Sequence, residues 1–460
     1  MKMNKMAEKP MPSLLFGMAL PPMISMLIQS LYNIVDSMYV AQISEGALTA
    51  VSIVFPIQSL IISVSVGIGV GVNSYISRKL GEQDSKEANS TVAHGMLLAT
   101  IASGVFCLFG LVGTERFLQM FTNDAAIFAD AASYMYIVVY FSFTSFYYIL
   151  IEKIFQSTGQ MNVPMMIQVV GAVTNIVLDP IMIFGWFGFP ALGVAGAAIA
   201  TVTAQFICML LSFYFLLKKN QEVTLKLRGF KYNFETIKQI MFIGIPNTCM
   251  NALGSFLVMG LNAILISFST TAVSLYGVYY KLQTFVFMPV SGLTQGAMPI
   301  MGYNYGRKDP GRLLHCLKMC IVAALGIMVA GVLLFQIFPA QLLQLFNASE
   351  DMLVIGIPAL RIISISFIPA TFGFILPTLF QSMGKGKESL VVFLLRQFCI
   401  TMPLAWALSK IWGLNGIWFS FIIAETIAAL VSVAFFKRLS KRDRVLSKQE
   451  PEKIVTSEFS

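Results

Sequence analysis

The chain is dominated by long, mainly apolar segments, such as 253–268 and 321–338. A helix needs about 20 mainly apolar residues to cross roughly 30 Å of hydrocarbon. In lipid every backbone polar group must be satisfied inside the structure, so only helices or closed barrels span a membrane. The segments do not alternate in polarity along the chain, which indicates helices rather than strands. The sequence therefore predicts an all-α membrane protein.

The composition agrees, because 57% of the residues are hydrophobic and only 12% are charged. A soluble domain has about 25% charged residues. The first apolar segment continues to Val40 without a signal-peptide cleavage pattern, so we expect a retained first span. The six cysteines are scattered through apolar segments and are expected to be small apolar fillers. We predict no enzymatic activity, no cofactor and no metal site, apart from a coupling ion.

Twelve spans can be placed between clusters of Pro, Gly and charged residues. They are 13–40, 47–77, 91–113, 129–157, 162–187, 193–217, 236–268, 272–301, 313–338, 354–383, 388–410 and 414–436. We expect a first six-helix lobe over 1–217, a linker over 218–235, a second six-helix lobe over 236–436 and a basic tail over 437–460.

Lys and Arg set the expected orientation. If both termini are cytoplasmic, 25 of the 31 Lys and Arg fall in cytoplasmic segments, four lie within or at the ends of spans, and only Arg116 and Lys410 fall in external segments. Basic residues concentrate on the cytoplasmic side of membrane proteins. This predicts a multi-pass protein of the bacterial inner membrane with both termini inside. It also explains the net charge of +9 without nucleic acid as a partner.

The two halves of the chain repeat one another. The segment Phe155-Gln-Ser-Thr-Gly159 recurs 225 residues later as Phe380-Gln-Ser-Met-Gly384. The same offset relates several prolines, glutamines and glycines, and farther on the offset becomes 220, so one loop is shorter in the second half. The pairs at 225 are Pro21 and Pro246, Gln58 and Gln283, Gly67 and Gly292, Gly71 and Gly296, and Gly81 and Gly306. Six spans in each half keep the halves in one orientation, with a substrate site expected between them.

Ionisable residues inside spans cost about 2.5–3.5 kcal/mol at a helix centre, so they are candidates for function. Asp36 lies in span 1 and Asp179 lies in span 5. Asn175 lies one helical turn before Asp179 on the same face of the helix. Pro180 removes an amide hydrogen and so frees the carbonyl of Ile176. These oxygens suit a proton or Na⁺, and the alternative is an interhelical hydrogen-bond clamp. The repeat places Leu261 and Leu404 at the positions of the two aspartates, which favours an ion site in the first half.

Four further residues are candidates for the substrate cavity. Asn33 lies on the helical face of Asp36. Glu152 stands beside Lys153, and a local ion pair near the cytoplasmic surface is the alternative for it. Glu425 in span 12 is either a cavity-facing cation site or a partner for a basic group. Lys281 has no partner that the sequence identifies, and structural pairing is its alternative.

Several segments together resemble the multidrug and toxic compound extrusion (MATE) family, most closely its MepA-like bacterial branch. The resemblance runs from about residue 12 to residue 437. The segments that carry it are Ala19–Pro22, Leu31–Asp36, Gly67–Gly71, Thr174–Pro180, Gly193–Thr201 and Gly302–Gly306.

The resemblance implies a V-shaped fold of two six-helix lobes, and an antiporter that exports organic cations in exchange for H⁺ or Na⁺. In family members with acids in the first lobe, it implies a cation site that here comprises Asp36, Asn175, Asp179 and Thr201. If Na⁺ is the coupling ion, we expect it to bind at Asp36, Asn175 and Asp179. We expect a monomer in the lipid bilayer.

The alternative function is a flippase for lipid-linked precursors, because related folds share the two-lobe plan. A flippase that handles a pyrophosphate needs basic residues in its cavity. The candidates for that role are Lys281, Arg361 and Arg396.

Overall fold

The computed structural model describes residues 5–219, 222–225, 230–346 and 348–447, which are almost entirely helical. The first half comprises α1 (Lys5–Glu8), α2 (Met11–Ala41), α3 (Glu45–Gly81), α4 (Ser85–Val112), α5 (Thr114–Gln119), α6 (Ala125–Tyr140), α7 (Ser142–Ser157), α8 (Asn162–Phe184) and α9 (Gly193–Lys219). The second half comprises α10 (Phe234–Leu265), α11 (Thr270–Gly306), α12 (Pro310–Ile337), α13 (Pro339–Gln344), α14 (Glu350–Ser364), α15 (Phe367–Ser382), α16 (Gly386–Leu394) and α17 (Met402–Arg442). A π-helical segment, Leu395–Thr401, joins α16 to α17.

The described helices account for the twelve predicted spans. Eight helical segments are long and apolar enough to cross a membrane, and the bent pairs α6–α7 (46°) and α14–α15 (47°) raise this to ten. One of the eight, Gly386–Arg442, folds back on itself at Gly413 and supplies two spans. In support, the Cα of Gly416 lies against the carbonyl of Leu408, although these residues would be about 12 Å apart along a straight helix. The remaining span is α11. It has the same length as α3, 37 residues, but it is less apolar than α3.

Helix ends confirm the duplication that the sequence predicts. The helices α3, α4, α5 and α7 each begin and end 225 residues before α11, α12, α13 and α15, respectively. The caps repeat too, because Ser44 and Ser269 accept hydrogen bonds from Ala47 N (2.9 Å) and Ala272 N (3.0 Å). We call α2–α9 the N lobe and α10–α17 the C lobe.

Glycines bring the two lobes into close contact. The backbone of Gly67 in α3 packs on Gly244 in α10, where an added Cβ would lie 2.6 Å from the Gly244 carbonyl oxygen. At one end of the bundle the contact is reciprocal, because Gly81 packs on the carbonyl of Tyr303 while Gly306 packs on the carbonyl of Arg78. These four residues are again related by the offset of 225. Small residues allow such close helix approach in membranes.

The reciprocal contact lies at the end of the bundle that carries residues 78–86 and 303–312, which we call the basic end. The N-terminal segment also packs there. Arg312 Nη2 donates to the carbonyl oxygens of Met6 (3.1 Å) and Lys9 (2.9 Å). In the structure, helices and backbone contacts therefore join the lobes at the basic end.

The lobes differ at one connection. In the N lobe, residues 185–192 join α8 to α9 and expose the side chains of Trp186, Phe187 and Phe189. In the C lobe, the equivalent reversal is made at Gly413 (φ 60°, ψ −144°), a backbone conformation that only glycine adopts readily. The loop in the second half is shorter, as the change of offset from 225 to 220 predicts.

Candidate functional site

A cavity of about 590 Å³ lies between the lobes. Most of its lining comes from the N-lobe helices, and the C lobe contributes Asn251 and Gln295. Among the described residues, the charged side chains of the lining are Asp36, Glu152 and Lys153. When all three are ionised, the lining carries one net negative charge.

The structure brings the predicted Asp–Asn–Asp set together inside the N lobe. Asp36 comes from α2, while Asn175 and Asp179 come from α8. Asn175 Nδ2 donates to Asp179 Oδ1 at 3.3 Å and to Thr201 Oγ1 of α9 at 3.5 Å. The carboxyl groups of Asp36 and Asp179 lie within electrostatic reach of each other. Asp179 is fully buried, whereas Asp36 and Thr201 reach the cavity lining.

Three buried oxygens of this set accept no hydrogen bond from any residue that the structure describes. They are Asp36 Oδ1, Asp179 Oδ2 and Asn175 Oδ1. Leaving such a group unsatisfied costs about 1–3 kcal/mol. Carboxylate and carboxamide oxygens are the ligands that hard cations prefer. The donor set therefore fits a proton or Na⁺, and a clamp that served only to join helices would leave these oxygens unexplained.

Polar aromatic side chains surround the two carboxyl groups. Tyr32 and Tyr134 lie within electrostatic reach of Asp36, and Tyr134 also faces Gln58 of α3. Tyr134 was not among the predicted site residues, because fifteen tyrosines occur in the chain and nothing in the sequence around Tyr134 distinguishes it. A signal did exist for Gln58, since it recurs as Gln283 in the repeat.

Glu152 lies in the cavity lining, where it is buried with Lys153. Lys153 Nζ lies 3.3 Å from Glu152 Oε1, so the predicted local ion pair is present. The structure also places this pair beside the C lobe. The reason is that α7 packs against α11, and Gln295 of α11 accepts a hydrogen bond from Lys153 at 3.0 Å.

Glu425 and Arg396 form a separate ion pair inside the C lobe. Arg396 Nε lies 2.6 Å from Glu425 Oε1, and the guanidinium lies 4.5 Å from the centre of the Phe374 ring. Of the two alternatives for Glu425, the structure shows the partner for a basic group, and it places Glu425 outside the cavity lining. By the repeat offsets, Arg396 and Glu425 stand where the N lobe has Gly171 and Gln205.

Two other predicted cavity residues have different outcomes. Lys281 is exposed and does not line the cavity, because its Nζ lies over the Phe346 ring, 5.9 Å from the ring centre. The side chain of Asn33 lies outside the described part of the chain.

The chain is similar to proteins of one known family. The model of the MatE family matches residues 21–181 and 246–407, one segment in each lobe. The Multidrug export protein MepA of Staphylococcus saprophyticus is 24% identical over 430 residues, with 93% of this chain and 93% of that protein covered. The protein of the same name from Staphylococcus aureus strain MSSA476 is 24% identical over 440 residues, with 95% and 96% covered.

Solved structures share the fold. A multidrug resistance MATE family transporter of the MOP superfamily, in an outward-facing conformation, matches with a TM-score of 0.89 at 25% identity, with 95% of this chain and 98% of that chain covered. A MOP superfamily transporter from Pyrococcus furiosus, described as having a binding pocket of reverse polarity, matches with a TM-score of 0.88 at 26% identity, with 96% and 98% covered. With matches in both halves and a shared two-lobe fold, this chain is a multi-pass membrane protein that belongs to the MatE family.

Proposed function

We propose that the protein is a secondary active multidrug exporter, which moves organic cations out of a bacterial cell in exchange for H⁺ or Na⁺. The observation that carries this proposal is the set of three unsatisfied oxygens at Asp36, Asn175 and Asp179, beside a cavity with one net negative charge. Membership of the MatE family and the names of the MepA relatives support export of several drugs.

Exchange follows from the placement of Asp36. Its carboxyl group belongs both to the oxygen set and to the cavity lining. An ion or proton held at the set removes the negative charge that a cationic substrate needs in the cavity. The two cations therefore weaken each other's binding, and by linkage the effect is reciprocal. Such mutual exclusion is what an antiporter requires.

We place the basic end of the bundle in the cytoplasm, in line with the concentration of Lys and Arg there. The described lobe arrangement then has its cytoplasmic end closed by the reciprocal contacts of Gly81 and Gly306. Export would require these contacts to separate and re-form in each cycle. We propose a bacterial inner-membrane location and a monomeric transporter without enzymatic activity, cofactor or nucleic-acid partner.

The flippase alternative is not favoured by the described cavity. Its candidate basic residues were Lys281, Arg361 and Arg396, and none of the three lines the cavity. Lys153 does line it, but this side chain is paired with Glu152. The cavity thus offers no uncompensated positive charge among the described residues for a pyrophosphate.

Everted membrane vesicles that contain the protein test the proposal. The vesicles are given either a proton gradient or a Na⁺ gradient. Added ethidium should accumulate in them and dissipate one of the two gradients, because each ethidium cation exchanges for the coupling ion. Vesicles from the same strain without the protein serve as the control. Ethidium movement that is indifferent to both gradients would contradict antiport, and the gradient that does respond identifies the coupling ion.

A further inference from the structure

Lys153 is a buried cation in a cavity that we propose to bind cations. Its side chain has three N–H donors, and the structure gives each an acceptor. They are Glu152 Oε1 at 3.3 Å, Gln156 Oε1 at 3.0 Å and Gln295 Oε1 at 3.0 Å. Only 6% of the residue is exposed. The ammonium group is thus held in one place by groups from both lobes.

Both carboxylate oxygens of Glu152 are also occupied. Besides the ammonium group, Oε1 accepts from Gln156 Nε2 at 2.7 Å, and Oε2 accepts from Gln168 Nε2 at 2.7 Å. Glu152 is 7% exposed. Its charge is therefore neutralised by Lys153 and its acceptor sites are filled by protein groups.

This pairing leaves one uncompensated carboxylate in the described cavity lining, that of Asp36. Burial weakens the screening of charge, so an unpartnered charge in the cavity is costly. A substrate with one positive charge finds a partner at Asp36. A substrate with two positive charges would have one of them without a partner.

We propose that Lys153 is a specificity-determining residue, a resident cation that occupies Glu152 and so restricts the cavity to monocationic substrates. The proposal rests on the proposed export of organic cations. Removal of the lysine charge would free Glu152 as a second anionic subsite and admit dications.

Ethidium and propidium form a matched pair of probes, because they share a phenanthridinium ring and propidium carries a second cationic group. Binding of each to the full-length protein in lipid nanodiscs is measured by fluorescence titration without any ion gradient. Lys153→Gln should increase propidium affinity relative to ethidium by about tenfold or more, equivalent to about 1.4 kcal/mol. Lys410→Gln is the control, since it removes an exposed lysine outside the cavity and should leave the ratio of affinities unchanged.

Two further variants separate charge from local packing. Glu152→Gln leaves Lys153 charged and uncompensated, so the affinity for propidium should fall more than the affinity for ethidium. This measurement tests the proposal even if Lys153→Gln does not fold. Glu152→Gln combined with Lys153→Gln removes both charges and should restore the wild-type ratio. An unchanged ratio in the single variants, or the same shift in the double variant as in Lys153→Gln, overturns the proposal. If ethidium does not bind the wild-type protein at all, the proposed function fails instead.

Discussion

Ion-driven ethidium uptake into everted vesicles should fall to the level of protein-free vesicles when Asp36 or Asp179 is replaced by Asn, a loss of at least about tenfold in initial rate. An amide keeps the shape of the carboxyl group but carries no charge and releases no proton. Since the two carboxyl groups lie within electrostatic reach of each other, neutralising either one removes a carboxylate oxygen and a charge from the same set. A tenfold loss corresponds to about 1.4 kcal/mol of the transport barrier.

The two aspartates should differ in a second measurement. Asp36 lines the cavity whereas Asp179 is buried behind it, so Asp36→Asn should weaken ethidium binding more than Asp179→Asn does. The control is Asp351→Asn, which neutralises an exposed aspartate in the first turn of α14 and should leave export unchanged. Wild-type rates in both site variants, with normal membrane insertion, would remove the N-lobe set from the mechanism.

Replacing Gly81 and Gly306 together with Ala should open the basic end of the bundle. Each added Cβ would overlap a backbone carbonyl oxygen of the other lobe, at Tyr303 and at Arg78. Backbone cannot move aside as a flexible side chain can, and overpacking costs about 1–3 kcal/mol at each site. The cost at one of the two sites alone changes the ratio of closed to open lobe arrangements by about 5- to 150-fold, and the second site adds to it.

Spin labels on the basic ends of α4 and α12 would report this change as a longer inter-lobe distance. Gly104→Ala is the matched control, because an added Cβ there meets no atom within 4 Å. We expect its distance distribution to equal that of the wild type and its ethidium export to persist. A double variant that retained the wild-type distances would show that the glycine contacts do not hold the lobes together.

Much of the architecture could be predicted because the same sequence pattern occurs in both halves of the chain. The repeated Phe-Gln-Ser segment and the glycines at a constant offset fix the register of the halves, and the helix ends at Gly81 and Gly306 follow that register. Local signals reinforce it, since Asp84 and Asp309 cap the following helices through Glu87 N and Arg312 N, both at 3.0 Å.

The surroundings of the charged groups could not be predicted in the same way. Lys153 and Gln295 are far apart in the sequence, and their contact depends on how α7 of one lobe packs on α11 of the other. Likewise, Arg396 meets Glu425 through the packing of the π-helical segment on α17. The acids themselves were evident from their cost in a membrane, but their partners depend on tertiary contacts that a single sequence does not encode as a local pattern.

The unequal connections opposite the basic end of the two lobes determine where this protein can be enlarged for labelling or imaging. A fiducial domain inserted into a helical membrane protein needs a connection of several residues between two spans, with exposed side chains at its tip. Residues 185–192 provide one, with exposed side chains at its tip. The reversal at Gly413 does not, because it consists of one glycine in a conformation that other residues adopt only with strain. Tags, epitopes and rigid fusions belong at the end of the N lobe opposite the basic end.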